Sequence, residues 1–148
     1  MNLTDKISKY FTLNEATYLP KWKTNHILSN EELSDIKHLA AIMDKVRELI
    51  GKPCSVHIWM HPESLNNPQS EHHGESYNKL VGGAPKSMHR FGRAVDCHFE
   101  GISCADAKKI ILPKLAELGL RMEDNGENAQ WIHLDTRNPG PGGRFFKT

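Results

Sequence analysis

Apolar residues along the 148-residue chain switch between two periods, and the switches divide it into predicted elements. From Ser29 onward, Leu33, Ile36, Leu39, Met43, Val46 and Ile50 recur three or four positions apart until Gly51, the stripe of an amphipathic helix. Ser29 with Glu32 three residues later reads as a capping box at its start. After Pro53 the period drops to two. A strand over residues 54–61 is expected to set Val56, Ile58 and Met60 on one face and His57, Trp59 and His61 on the other. Residues 94–98 alternate in the same way, with Ala94, Asp96 and His98 opposite Val95 and Cys97. Ser103 is placed to cap a helix reaching Leu118, which Pro113 either kinks or divides and Gly119 ends. Residues 120–122 and 130–135 read as two strands joined by an acidic turn containing Asn125 and Gly126. In the second strand Trp131, His133 and Asp135 share a face, while Ile132 and Leu134 fill the core behind it.

Between these elements lie stretches without a period. Residues 1–28 read as a loop-rich wrap after a short anchor at Phe11 and Leu13. Residues 62–76 turn to Asn, Pro, Ser, Glu, His and Gly, a long loop for a compact domain, and so either a substrate-facing flap or mobile surface. Residues 138–143 are too rich in Pro and Gly for regular structure. Strands joined by a turn at the C-terminus, with helices elsewhere, predict an α+β fold in which a small antiparallel sheet carries packed helices. The length suits one domain over residues 1–148.

Charge removes one class of partner. Nineteen lysines and arginines stand against eighteen aspartates and glutamates, so the basic field of a nucleic-acid binder is missing and no nucleic acid is expected. Cys54, Cys97 and Cys104 are odd in number and lack Cys-x-x-Cys spacing, which argues against a disulfide framework or a cysteine zinc cluster and fits a reducing compartment. Residues 1–10 hold no sustained apolar run, so neither a signal peptide nor a membrane span is expected. The reading is a protein made in the cytoplasm, monomeric and not inserted in a membrane, that reaches any substrate outside the cell through another system.

The candidate chemistry sits in two short segments, Ser87-Met88-His89-Arg90-Phe91-Gly92-Arg93-Ala94-Val95-Asp96 and Trp131-Ile132-His133-Leu134-Asp135. They supply two histidines and a carboxylate. Three such ligands leave a zinc ion one open position for water or substrate oxygen. Non-haem iron takes the same donors, though nothing else in the chain resembles an oxygenase. Gly92 must supply a turn if His89 is to point back at Asp96, since seven residues along a straight strand would set them on opposite faces. His72 and His73 beside Glu71 form another group of metal-binding residue types, but in a loop of this composition they read as solvent-facing side chains and not as a second metal site.

The two segments fill every position of Ser-x-His-x-x-Gly-x-Ala-x-Asp and Trp-x-His-x-Asp, the pattern of zinc D-alanyl-D-alanine carboxypeptidases and peptidoglycan endopeptidases of peptidase family M15, with the Hedgehog/DD-peptidase fold. Residues 7–15 (Ile-Ser-Lys-Tyr-Phe-Thr-Leu-Asn-Glu) and 77–84 (Tyr-Asn-Lys-Leu-Val-Gly-Gly-Ala) also resemble its phage-endolysin-like branch, so the likeness spans nearly the whole chain. The resemblance implies a zinc site on the sheet face held by His89, Asp96 and His133, and hydrolysis of peptide bonds in peptidoglycan stem peptides. It implies Asp135 as a partner that orients the ligands, and Ser87, Arg93, Arg137 and His57 as substrate contacts. Gln130 stands where several relatives carry an acidic residue. The water-activating carboxylate is therefore expected from Glu127, which matches a glutamate of the Hedgehog-type site, with Asp124 and Glu123 behind it. His61 falls where relatives carry a substrate-binding arginine and is the second catalytic candidate; it offers a hydrogen bond without the fixed charge and fork of arginine. A zinc-containing structural module of a virion or tail, without catalysis, and a dipeptidase on other substrates are the rival readings.

Overall fold

A computed structural model describes residues 1–148. In chain order the elements are α1 (Leu13–Thr17), β1 (Tyr18–Leu19), β2 (Thr24–Asn25), α2 (Asn30–Ile50), β3 (Cys54–Ile58), α3 (Tyr77–Leu80), a 3-10 turn (Met88–Phe91), β4 (Ala94–Phe99) and α4 (Cys104–Ile111). A second 3-10 turn (Leu112–Lys114) leads to α5 (Leu115–Leu118), β5 (Arg121–Glu123), β6 (Ile132–Asp135) and β7 (Phe145–Phe146). The five-stranded sheet has the order β3-β4-β6-β5-β7 and is antiparallel except where β7 runs parallel to β5. The architecture is thus α+β, with helices on one face of the sheet. No helix is long and apolar enough to cross a membrane.

Local chemistry explains the best-defined elements. The stripe on α2 is buried at Ile36, Leu39, Ala40, Met43, Val46 and Ile50, the Ser29–Glu32 capping box is formed, and Gly51 closes the helix in the left-handed region (φ 73°). Those side chains meet Val95 and Cys97 of β4, Ile132 and Leu134 of β6, Met122 of β5, and Ala107 and Ile111 of α4 in one apolar cluster. The alternation that puts Val95, Ile132 and Leu134 into the core turns Asp96, His133 and Asp135 to the other face of the same strands. Pro113 divides the fourth helical segment rather than bending it.

Four regions differ from the sequence expectation. Thr12 and Glu15 form a capping box that starts α1, and β1 pairs with β2, so the N-terminal wrap carries regular structure. In β3 the register slips between Val56 and Ile58 and the strand ends at Ile58, which breaks the alternation assumed through residue 61. Trp59 and Met60 consequently both enter the core, and the Trp59 ring meets Phe11 edge-on at 5.7 Å. The 62–76 loop is tied down: Leu65 is buried against Leu19 and Tyr77, and Asn66 N–H donates to His26 Nδ1 at 3.2 Å. Beyond the Pro/Gly stretch, Phe145 and Phe146 add an edge strand.

Candidate metal centre

Each member of the predicted triad is delivered by a different local device. Asp96 and His133 are direct cross-strand partners of β4 and β6, so the antiparallel register alone sets their side chains next to each other on the open face. His89 comes from the 3-10 turn, where the Ser87 hydroxyl accepts its backbone N–H at 3.2 Å. Gly92 then reverses the chain in the left-handed region (φ 75°), as the sequence required. That glycine is needed twice, because a Cβ there would lie 2.6 Å from Ile36 Cγ1 and 3.1 Å from Met60 Sδ. Trp59 clamps the turn from the core: its indole N–H donates to Gly92 O at 3.0 Å, and its own carbonyl accepts from His89 Nδ1 at 3.0 Å.

The donor atoms converge. One ligand atom from each of His89, Asp96 and His133 lies within 4.8 Å of the others. His89 Nε2 is 3.2 Å and His133 Nδ1 is 2.9 Å from the same oxygen, Asp96 Oδ1. The far nitrogen of each ring is occupied, His89 Nδ1 by Trp59 O and His133 Nε2 by Asp135 Oδ2 at 2.8 Å. A far N–H held by a carbonyl or carboxylate fixes the tautomer and aims the other lone pair, which is the usual support for metal-ligating histidine. With two aimed imidazoles and one carboxylate, of which His133 also lines a neighbouring cleft, the donor set fits zinc with a free position.

Electrostatics follows from these contacts. Burial pushes the Asp96 carboxyl up, but the hydrogen bonds from His133 and His89 win and hold it well below the usual carboxylate range. Burial would likewise lower His133, yet Asp135 and Asp96 on its two nitrogens raise it to about 9. Asp135 is held at about 2 by His133 and Arg121 against the upward push of burial. Arg121, on the neighbouring strand, grips Asp135 with Nε and Nη2, each at 2.8 Å, and lies over the Phe146 ring at 3.7 Å. Sequence reasoning missed Arg121 and Phe146. The alternation in residues 120–122 was the available signal for Arg121, since Arg121 pairs with Asp135 while Met122 pairs with Leu134.

A cleft beside the triad is lined by Ser87, Arg121, Glu123, His133, Asp135 and Arg137, among others. Ser87 and Arg137, two of the expected substrate contacts, are among the lining residues. Arg137 approaches Asp135 only through its backbone N–H, at 3.1 Å, and its guanidinium reaches Lys86 O. Arg93 pairs with Asp35 at 3.1 Å and lines the adjoining basic groove with Lys86, Arg90 and Arg137. His57 lies further along the sheet against His98. His61 packs its ring on His89, with centroids 4.5 Å apart, and burial first, then the neighbouring His89 ring, lowers its pKa to about 4. It is not among the residues lining the cleft. Glu127 is exposed and lies in a separate recess with Ala105, Lys108, Asp124 and Phe145. Asp124 thus lines that recess with Glu127, while Glu123, at the end of β5, lines the cleft with His133. His72 bonds Glu75 at 2.7 Å and stacks on Trp22, while His73 turns to Asn67, so those two histidines do not converge.

A search of the curated proteins and one of the solved structures each gave no significant match. A family model described as Peptidase M15 matches residues 9–135, a stretch that contains His89, Asp96, His133 and Asp135. With the match covering most of its length and all of the converging donors, the chain belongs to peptidase family M15.

Proposed function

We propose that the chain is a zinc-dependent metallopeptidase that hydrolyses a peptide bond in peptidoglycan stem peptides, acting on the wall in the manner of an endolysin, with a sheet of the Hedgehog/DD-peptidase type. The observation that carries the reading is the convergence of His89 Nε2, Asp96 Oδ1 and His133 Nδ1 beside an open cleft, in a member of a peptidase family. Zinc held there supplies a Lewis acid that brings the pKa of water towards neutrality and polarises a carbonyl.

The residues of the chain divide the remaining work. Carried one residue past Met122–Leu134, the register sets Glu123 beside His133, and both line the cleft. Glu123 takes the proton of the attacking water and passes it to the leaving amine nitrogen, the task of a positioned general base and acid. Its Oε1 accepts a hydrogen bond from the Thr148 hydroxyl at 3.1 Å, which steadies the carboxylate. Arg137 and Lys86, shared between the cleft and the basic groove, and Arg93 beyond them, bind carboxylates of the substrate peptide. Ser87 contacts the peptide at the rim. His61, neutral and packed on His89, holds that ligand in place.

The test is mass spectrometry of soluble fragments released from several purified peptidoglycans by the zinc-loaded protein, with a chelated sample alongside. Zinc-dependent fragments name the bond. Glu123→Gln is expected to keep zinc and lose about 10²–10⁴ in rate, whereas Glu127→Gln keeps the parent rate. Zinc-loaded protein that releases nothing from any wall overturns the substrate assignment and favours a non-catalytic module or a dipeptidase.

A further inference from the structure

A second pair of ring nitrogens faces each other on the same open side of the sheet and shares no ligand with the triad. His98 follows Asp96 by two positions on β4, so it points the same way about 7 Å along the strand. His57 reaches it from β3, where Ser55 pairs with His98 and Ile58 with Asp96, and the register slip between Val56 and Ile58 accommodates His57. His57 Nε2 lies 2.5 Å from His98 Nδ1, with ring centroids 4.8 Å apart. On its far side His98 Nε2 is 3.1 Å from Glu100 Oε1. The N–H of His98 is therefore on Nε2, donated to the carboxylate, and the lone pair of Nδ1 is directed at His57.

A carboxylate behind one imidazole and a second imidazole in front of it is the arrangement that supports a metal ligand rather than a lone surface histidine. We propose that His57 Nε2 and His98 Nδ1, with Glu100 fixing the tautomer, form a second metal site that takes a borderline divalent ion such as zinc, nickel or copper. Imidazole donors select these ions over calcium and magnesium. The rings are free to adapt: His57 is exposed, and the His98 side chain is 36% exposed. Opening the nitrogens to the roughly 3 Å that two ligands at about 2.0–2.1 Å require takes only a small side-chain rotation. Two protein ligands in water bind more weakly than the triad, so this site fills second, and it stands whether or not the chain hydrolyses peptidoglycan.

Equilibrium dialysis against graded free zinc, read by elemental analysis and by calorimetry, tests it on the whole chain. The wild-type protein is expected to bind one zinc tightly and a second at least tenfold more weakly. His57→Ala and His98→Ala each abolish the second equivalent and keep the first, and far-UV circular dichroism checks that both variants are folded. Glu100→Gln weakens the second equivalent by about tenfold. His133→Ala loses the tight equivalent and keeps the weak one, which separates this proposal from the peptidase reading. A single equivalent at saturation overturns it. So does a second equivalent that survives both His57→Ala and His98→Ala, which would lie elsewhere, as at His72 between Glu71 and Glu75.

Discussion

Replacing Asp135 by asparagine separates support of the metal ligand from ligation itself. Asp135 is 1% exposed and accepts from Arg121 Nε and Nη2, from His133 Nε2 and from the Arg137 backbone. Asparagine keeps the volume and one acceptor oxygen but strips the charge that pairs Arg121, whose side chain is only 13% exposed. The gap between 3.8 and about 2 for this carboxyl, at 1.36 kcal/mol per pKa unit, corresponds to about 2 kcal/mol. Because the folded pKa is depressed, that stabilisation is complete above about pH 4 and disappears as pH falls through about 2. Metal-free Asp135→Asn should therefore melt about 4–8 °C lower than the parent at pH 7, with the difference closing towards pH 2. Zinc affinity should fall about 10–100-fold, since the His133 ring loses the anion that orients it and raises its basicity. Chelator competition at fixed pH measures the second effect and thermal unfolding of the metal-free protein measures the first. A variant that holds zinc within twofold of the parent and melts at the same temperature would refute the role given to Asp135.

His133→Ala leaves two ligands and should remove tightly bound zinc, measured by elemental analysis after dialysis, while far-UV circular dichroism stays that of the parent; full zinc occupancy would sink the ligand assignment. Gly92→Ala forces a side chain into the left-handed region and against Ile36 and Met60, so it should cost about 2–4 kcal/mol in denaturant unfolding and weaken zinc binding by displacing His89. In the metal-free protein the His133 ring stays protonated to about pH 9. Zinc uptake at pH 7 should accordingly release about one proton, read by calorimetry in buffers of different ionisation enthalpy, and apparent affinity should climb with pH and level off near 9.

The features legible in the sequence are those whose signal is local and continuous. The α2 stripe with its capping box and terminal glycine needs nothing beyond 23 consecutive residues, 29–51. The triad was legible because motif spacing names the residues, and because alternation in β4 and β6 places Asp96 and His133 on one face without knowledge of their partners. Trp59 was misplaced for the converse reason: the register slip at Val56–Ile58 and the strand's end at Ile58 break the alternation and carry Trp59 into the core beside Met60, and nothing in the residue types announces it. β7 was illegible because two phenylalanines after a Pro/Gly stretch have no period, and their pairing with β5 depends on a chain path set elsewhere. Where Glu127 sits was not legible either, because residues 124–131 form no regular element; Glu127 shares a recess with Ala105 and Lys108 of the α4 segment, while Glu123 stays on β5.

The order of these dependencies decides what the metal has to do. The apolar cluster beneath the sheet contains none of the three ligands, and it is this cluster, with the β4–β6 ladder, that sets the separation of Asp96 and His133. His89 is fixed by Gly92 and Trp59, which touch the core and not the cleft. A metal bound by these residues would therefore meet side chains already positioned, instead of gathering them from a disordered chain. In small metal-dependent domains the binding energy is spent on folding. Here the core and its ladder meet that demand, and metal affinity would depend instead on the far-side partners, Trp59 O for His89 and the Arg121–Asp135 pair for His133. Substitutions at those partners should consequently grade the affinity of a folded protein, whereas substitutions at Gly92 couple affinity to stability, and that contrast distinguishes a preformed centre from one that the metal assembles.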